Sequence, residues 1–129
     1  MSEASLRKER PKHLDLMRIR FPLAAIVSIL HRITGGGLFL LLPFLLYLLS
    51  CSLGSPESFR TFEAIVGHPL AKLLLLGMLW AYLHHFCMGI RFLLLDSHIG
   101  VELEAARLSA KLVVIVSVLL TIIIGVALW

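Results

Sequence analysis

The stretch ITGGGLFLLLPFLLYLLSCSLGSP, Ile33 to Pro56, decides the architecture. It contains no Asp, Glu, Lys or Arg. A helix of about 20 mostly apolar residues crosses the hydrocarbon core of a bilayer, within a range of about 17–25. This run is long enough on its own. Two further uncharged runs follow, Leu73–Ile90 and Leu112–Trp129. All three are continuous rather than alternating, which favours helices over the strands of a membrane barrel. The whole chain is 59% hydrophobic with a mean hydropathy of +0.95, above the roughly 45–50% of a soluble domain. The sequence therefore predicts an all-α integral membrane protein with three transmembrane helices, over about 22–53, 69–95 and 109–129. A basic arm at 1–21 precedes them, and no separate soluble domain is expected.

The net charge of +4 is explained by its distribution. It gives no sign of nucleic-acid binding. Arg7, Lys8, Arg10, Lys12, Arg18, Arg20 and Arg32 crowd the N-terminal segment. The first connection, Leu53–Lys72, holds only Arg60 and Lys72, whereas Arg91, Arg107 and Lys111 flank the second. The positive-inside rule then places the N-terminus and the second connection in the cytoplasm, and Trp129 on the periplasmic side. Glu3, Glu9 and Asp15 stand among the early basic residues, and no apolar core with a small-residue cleavage site follows. That argues against a signal or transit peptide and for a bacterial inner-membrane chain. Cys51 and Cys87 fall near opposite ends of their helices, too far apart for a disulfide.

Pro22 suits the first turn of helix one, and Pro43 should bend it midway. Gly35, Gly36 and Gly37 leave a patch without side chains, open either to a neighbouring helix or to a flat ligand. LGSPESF closes the helix, and a short amphipathic piece, Glu57–Val66, follows on the outer surface.

Two constellations carry chemistry. The first is HHFCMGIR, His84–Arg91. Ionisable residues are costly at membrane depth and commonly mark a site. Arg91 lies about 9 Å along the helix from His85, so His85 belongs to the cytoplasmic half of the bilayer. Adjacent residues differ by about 100° around a helix, so the two histidines serve different neighbours. His85 has Gly89 one turn on, leaving room for a flat macrocycle. His84 shares its face with Trp80, Met88 and Arg91, a packing or interfacial position. A neutral imidazole is a good axial ligand for haem iron, and also a good buried hydrogen-bond donor. With no CxxCH, any haem is non-covalent. A second axial histidine would come from His31 or from a partner chain.

The second constellation is SILHR, Ser28–Arg32. Ser28 and Arg32 stand four apart and share a helix face near the cytoplasmic edge. A hydroxyl and a guanidinium together can hold a quinone carbonyl and stabilise negative charge developing on it. The plainer alternative is an arginine snorkelling to lipid phosphates beside a serine bonded to its own helix.

RPKHLDLMRIRFPLAAIVSILHRITGG, HFCMGIRFLLLD and SAKLVVI together resemble the cytochrome b subunit of bacterial succinate dehydrogenase, the large membrane anchor of complex II. The similarity runs from about Arg10 to Trp129. It implies one half of a heterodimeric, haem-binding helical anchor. By this resemblance His85 is the haem b axial ligand, with the second histidine supplied by a smaller anchor subunit. His31 and Arg32 lie near the haem propionates. Ser28 and Arg32 contact ubiquinone, with Ile29 as an apolar neighbour. The implied partners are the smaller anchor, an iron–sulfur subunit and a flavoprotein. The chain itself would be a non-catalytic electron-transfer and anchor subunit acting in the tricarboxylic acid cycle. Phe92 stands where many relatives carry histidine, Thr34 where serine is usual, and His84 is an extra imidazole. Two other readings stand beside this one: the anchor of a fumarate reductase or another quinone-linked oxidoreductase, and a small cofactor-free structural membrane protein.

Overall fold

The structure, a computed structural model, describes residues 19–129. Most of the basic arm placed at 1–21, and the Arg10–Arg18 part of the first signature, lie outside the described residues. Four helices follow in order: α1 Leu23–Leu53, α2 Pro56–Gly67, α3 Pro69–Asp96 and α4 Leu103–Leu128. Among them α1, α3 and α4 are long and apolar enough to cross a membrane.

Pro22 is the N-cap of α1 rather than a residue of its first turn, with extended backbone at φ −65° and ψ 155°. Its carbonyl accepts from Ala25 N at 2.9 Å and opens the helix. The helix then runs through Pro43 without interruption. At its far end Ser58 Oγ donates to Cys51 O at 3.0 Å, satisfying one of the last carbonyls, which have no partner inside a helix. Ser55 and His68 cap α2 and α3, each with a proline in the following first turn. The last long helix starts at Leu103, well before the expected 109. The reason is local. LEAARLSAK is rich in strong helix formers, so the helix begins in the polar interface before the uncharged run does. The α3–α4 connection is correspondingly short. It turns at His98 (φ 60°) and Gly100 (φ 74°), both in the left-handed region.

α3 packs against both α1 and α4, and α1 also touches α4. Val27, Met88, Ala110 and Val113 form the buried apolar cluster, at the end of the bundle where α1 and α4 begin. On α4, Ser117, Thr121 and Gly125 face inward at four-residue spacing. Such small-residue stripes let membrane helices approach closely. A Cβ on Gly125 would come within 2.9 Å of Leu76 Cδ1. The hydroxyls are satisfied by back-bonds, Thr121 Oγ1 to Ser117 O at 2.7 Å and Ser117 Oγ to Val114 O at 3.1 Å.

The exterior is the reverse of a soluble protein's. Phe39 and Leu40 are 75% and 76% exposed, while His84 and Arg91 are buried. A surface so apolar is stable against lipid and would aggregate in water.

Candidate functional site

Because α1 and α3 run antiparallel, the start of α1 meets the last half of α3. That crossing brings together His31, His84 and His85. The His85 ring lies face to face with His31, centroids 4.0 Å apart and planes within 7°. The two rings are in direct contact, with no room for a flat ligand between them. Phe92 packs edge-on to His31 at 5.1 Å, filling space with an apolar ring.

His85 Nδ1 lies 3.0 Å from His31 O. A carbonyl only accepts, so Nδ1 carries a proton, and in the neutral ring the lone pair is then on Nε2. This is the tautomer and the outer hydrogen bond that metal-ligating histidines commonly show. The ring is half-buried, and no other hydrogen bond engages it among the described residues. The helix that faces it has no side chain at the point of contact. A Cβ on Gly35 would stand 2.7 Å from His85 Cε1 and 3.2 Å from Nδ1. The close approach offered by the glycine triplet is made at Gly35, and Gly89 leaves open space as expected. A Cβ at Gly89, Gly36 or Gly37 would meet nothing within 4 Å. These residues fit a haem iron: one oriented imidazole with a free nitrogen, in a cradle that only glycine permits. Among the described residues no group of three His, Cys, Asp or Glu side chains gathers, so a cage of protein ligands for a bare metal ion is absent there.

His84 behaves differently. It is 1% exposed and lies beside Trp80, ring centroids 5.4 Å apart. Its Nε2 donates to Val27 O at 3.4 Å, and its Nδ1 is buried with no partner. Leaving a buried acceptor unpaired costs about 1–3 kcal/mol. His84 is enclosed between α1 and α3, which agrees with the face it shares with Trp80, Met88 and Arg91.

Ser28 and Arg32 stand one turn apart on α1, Ser28 half-buried and Arg32 exposed. Neither side chain makes a hydrogen bond among the described residues. The back-bond to the helix belongs instead to Thr34, whose Oγ1 donates to Leu30 O at 2.8 Å. Ile29 beside them is 44% exposed. The pair is thus presented outward, with its hydrogen-bonding capacity unspent. Three cavities lie away from the pair, one of about 430 Å³ between α3 and α4, one of about 570 Å³ between α2 and α3, and one of about 550 Å³ between α1 and α3 beyond Thr34. Arg91, near the C-terminal end of α3, turns inward. Its Nε donates to Ser109 Oγ at 3.0 Å and its Nη2 to Ala106 O at 3.2 Å.

Residues 6–124 match the family model described as succinate dehydrogenase/fumarate reductase transmembrane subunit. The chain belongs to that family. It is 39% identical over 122 residues to the succinate dehydrogenase cytochrome b556 subunit of Coxiella burnetii (strain RSA 493 / Nine Mile phase I), covering 94% of this chain and 98% of that protein. It is 34% identical over 116 residues to the subunit of the same name from Paracoccus denitrificans, covering 90% and 89%. The Rickettsia felis (strain ATCC VR-1525 / URRWXCal2) subunit is 29% identical over 118 residues, covering 92% of each chain. The family assignment agrees with the resemblance carried by the signatures. In this family member the residues that sequence reasoning missed are backbone ones. The carbonyls of Val27 and His31 receive the two histidines. The glycine triplet signalled a close approach, but nothing in the triplet itself says which glycine makes it.

Proposed function

We propose that this chain is the cytochrome b membrane-anchor subunit of a bacterial succinate dehydrogenase, with His85 Nε2 as one axial ligand of haem b. The observation that carries the reading is the His85 Nδ1 contact to His31 O at 3.0 Å, with the ring packed directly on Gly35. Haem b, when bound, supplies a one-electron carrier within the membrane. His85 would hold the iron through Nε2, and its backbone hydrogen bond at Nδ1 fixes the orientation of the ring. His31 supports that ring by stacking on it. The opposite histidine comes from the smaller anchor subunit. His31 and Arg32 lie in the vicinity of the propionates, where a guanidinium offsets carboxylate charge.

At the quinone site Ser28 and Arg32 donate hydrogen bonds to a carbonyl oxygen of ubiquinone. Arg32 stabilises the negative charge that develops there on reduction, and Ile29 supplies apolar contact to the ring. Ser28 and Arg32 face outward with no hydrogen bond of their own among the described residues, which suits a pocket completed by partner chains, the iron–sulfur subunit and the smaller anchor. The flavoprotein and the iron–sulfur subunit oxidise succinate on the cytoplasmic side, so this chain is not an enzyme alone. The Lys/Arg bias supports a cytoplasmic N-terminus and a periplasmic C-terminus in the bacterial inner membrane. The family description also covers fumarate reductase, but the relatives described above carry the succinate dehydrogenase name.

The test is purification of the complex with its partners, read by a reduced-minus-oxidised spectrum. A low-spin haem signal that disappears in His85→Ala is the expected result. A complex that assembles without any haem would leave a cofactor-free structural anchor as the better reading.

A further inference from the structure

His84 and His85 donate to the carbonyls of Val27 and His31, which are one helical turn apart on the same line of α1. The next residue after each carbonyl is Ser28 and Arg32, the pair assigned above to the quinone. We propose that His84 is a positioning residue for the quinone site, setting the rotation of α1 about its own axis through Val27 O. The inference rests on the quinone reading of Ser28 and Arg32.

Three observations carry it. First, among the described residues the contacts of His84 and His85 are the only hydrogen bonds that join α1 to α3. Lipid tails give little hydrophobic drive for helix association, so packing and polar contacts set the geometry. Second, His84 is a poor choice for packing alone. Its Nδ1 is buried without a partner, whereas phenylalanine or leucine would fill the same space against Trp80 with no orphaned atom. What the imidazole adds is the donor at Nε2. Third, the bond ends at a carbonyl, not at a side chain. Val27 O already serves the helix's own ladder and takes a second donor, so the contact reports on the backbone that carries Ser28.

One contact leaves a helix free to pivot, and two contacts a turn apart fix its azimuth. Without His84, the one hydrogen bond left between α3 and α1 among the described residues ends at His31 O. A rotation of about 10° moves a side chain at a helix radius of about 5–6 Å by about 1 Å. A displacement of about 1 Å at a reacting group can cost on the order of 10²-fold in rate. The haem side is less exposed to this loss, because His85 keeps its own carbonyl.

The test uses the intact complex with His84→Phe, His84→Gln and Arg32→Leu. His84→Phe keeps the ring volume without the donor. The glutamine amide nitrogen reaches about as far as Nε2 and restores it. With His84→Phe we expect full haem, normal succinate oxidation with an acceptor that draws electrons upstream of the quinone, and kcat/KM for ubiquinone lowered about tenfold, mainly through KM. His84→Gln should return kcat/KM to within about threefold of the unaltered complex. Normal quinone kinetics in His84→Phe overturn the proposal, as does equal impairment in His84→Phe and His84→Gln. If His84→Phe fails to assemble or loses haem, His84 serves assembly or the haem pocket, and the positioning role is wrong. Arg32→Leu separates the two levels. Normal quinone reduction in that variant sinks the quinone reading itself, whereas impairment there with normal His84→Phe sinks only the positioning role.

Discussion

Gly35→Ala tests the candidate haem site with a single methyl group. The added Cβ would lie 2.7 Å from His85 Cε1 and 3.2 Å from His85 Nδ1, where ordinary contact begins at 3.4 Å. The atom it meets belongs to a ring and not to the end of a flexible chain. The imidazole must therefore retreat by at least about 0.7 Å, or α1 and α3 must separate by as much, since van der Waals repulsion tolerates little overlap. Either movement lengthens the 3.0 Å contact between His85 Nδ1 and His31 O. Overpacking of this kind costs about 1–3 kcal/mol. Loss of an outer hydrogen bond to a metal-ligating histidine costs roughly 10–100-fold in affinity. Haem occupancy per purified complex should fall by an amount in that range, with a displaced spectrum in whatever haem remains. Gly36→Ala is the matched control, because its Cβ would meet nothing within 4 Å, and it should bind haem normally. Haem content and spectrum are read after native purification in mild detergent. Normal haem in Gly35→Ala, or equal damage from Gly36→Ala, would refute the claim that this glycine is required by the His85 ring.

His85→Ala should abolish or severely alter the low-spin spectrum while His84→Ala largely keeps it; the opposite pattern would exchange the roles of the two histidines. Arg32→Leu should lower quinone reduction on the order of tenfold or more, about 1.4 kcal/mol or above, and Ser28→Ala should lower it less, because hydrogen bonds to charged groups are worth more. Haem content is measured alongside, since Arg32 is also proposed to lie near the haem propionates. Cysteine labelling of intact cells should reach Glu63→Cys on α2 from outside, and Glu104→Cys at the start of α4 only after permeabilisation. Reversed labelling would invert the topology.

Much was legible before any tertiary structure, because it depends on length and chemistry along the chain. An uncharged run such as Ile33–Pro56 must satisfy its backbone polar groups internally when it lies in lipid, so it is a helix whatever its neighbours are. The three long helices and the all-α class follow from that alone. Polar side chains at membrane depth are few, so His84, His85, Ser28 and Arg32 stood out as candidates, and the family resemblance assigned their expected roles. The start of α4 at Leu103 was misplaced for a related reason. Charge marks where a span leaves the hydrocarbon, whereas helix propensity marks where the helix ends, and the two differ across LEAARLSAK.

Tertiary structure decided whatever depends on how a helix is turned about its own axis. Gly35, Gly36 and Gly37 are equivalent in sequence, and only the rotation of α1 against α3 puts Gly35 under the His85 ring. The same rotation encloses His84, leaves His85 half-buried, and stacks His31 on the His85 ring. The acceptors of both histidines are backbone carbonyls, which every residue has and no side-chain pattern can single out. Local chemistry along the chain determined which residues could act, and the packing of α1 on α3 determined which atoms of them face one another.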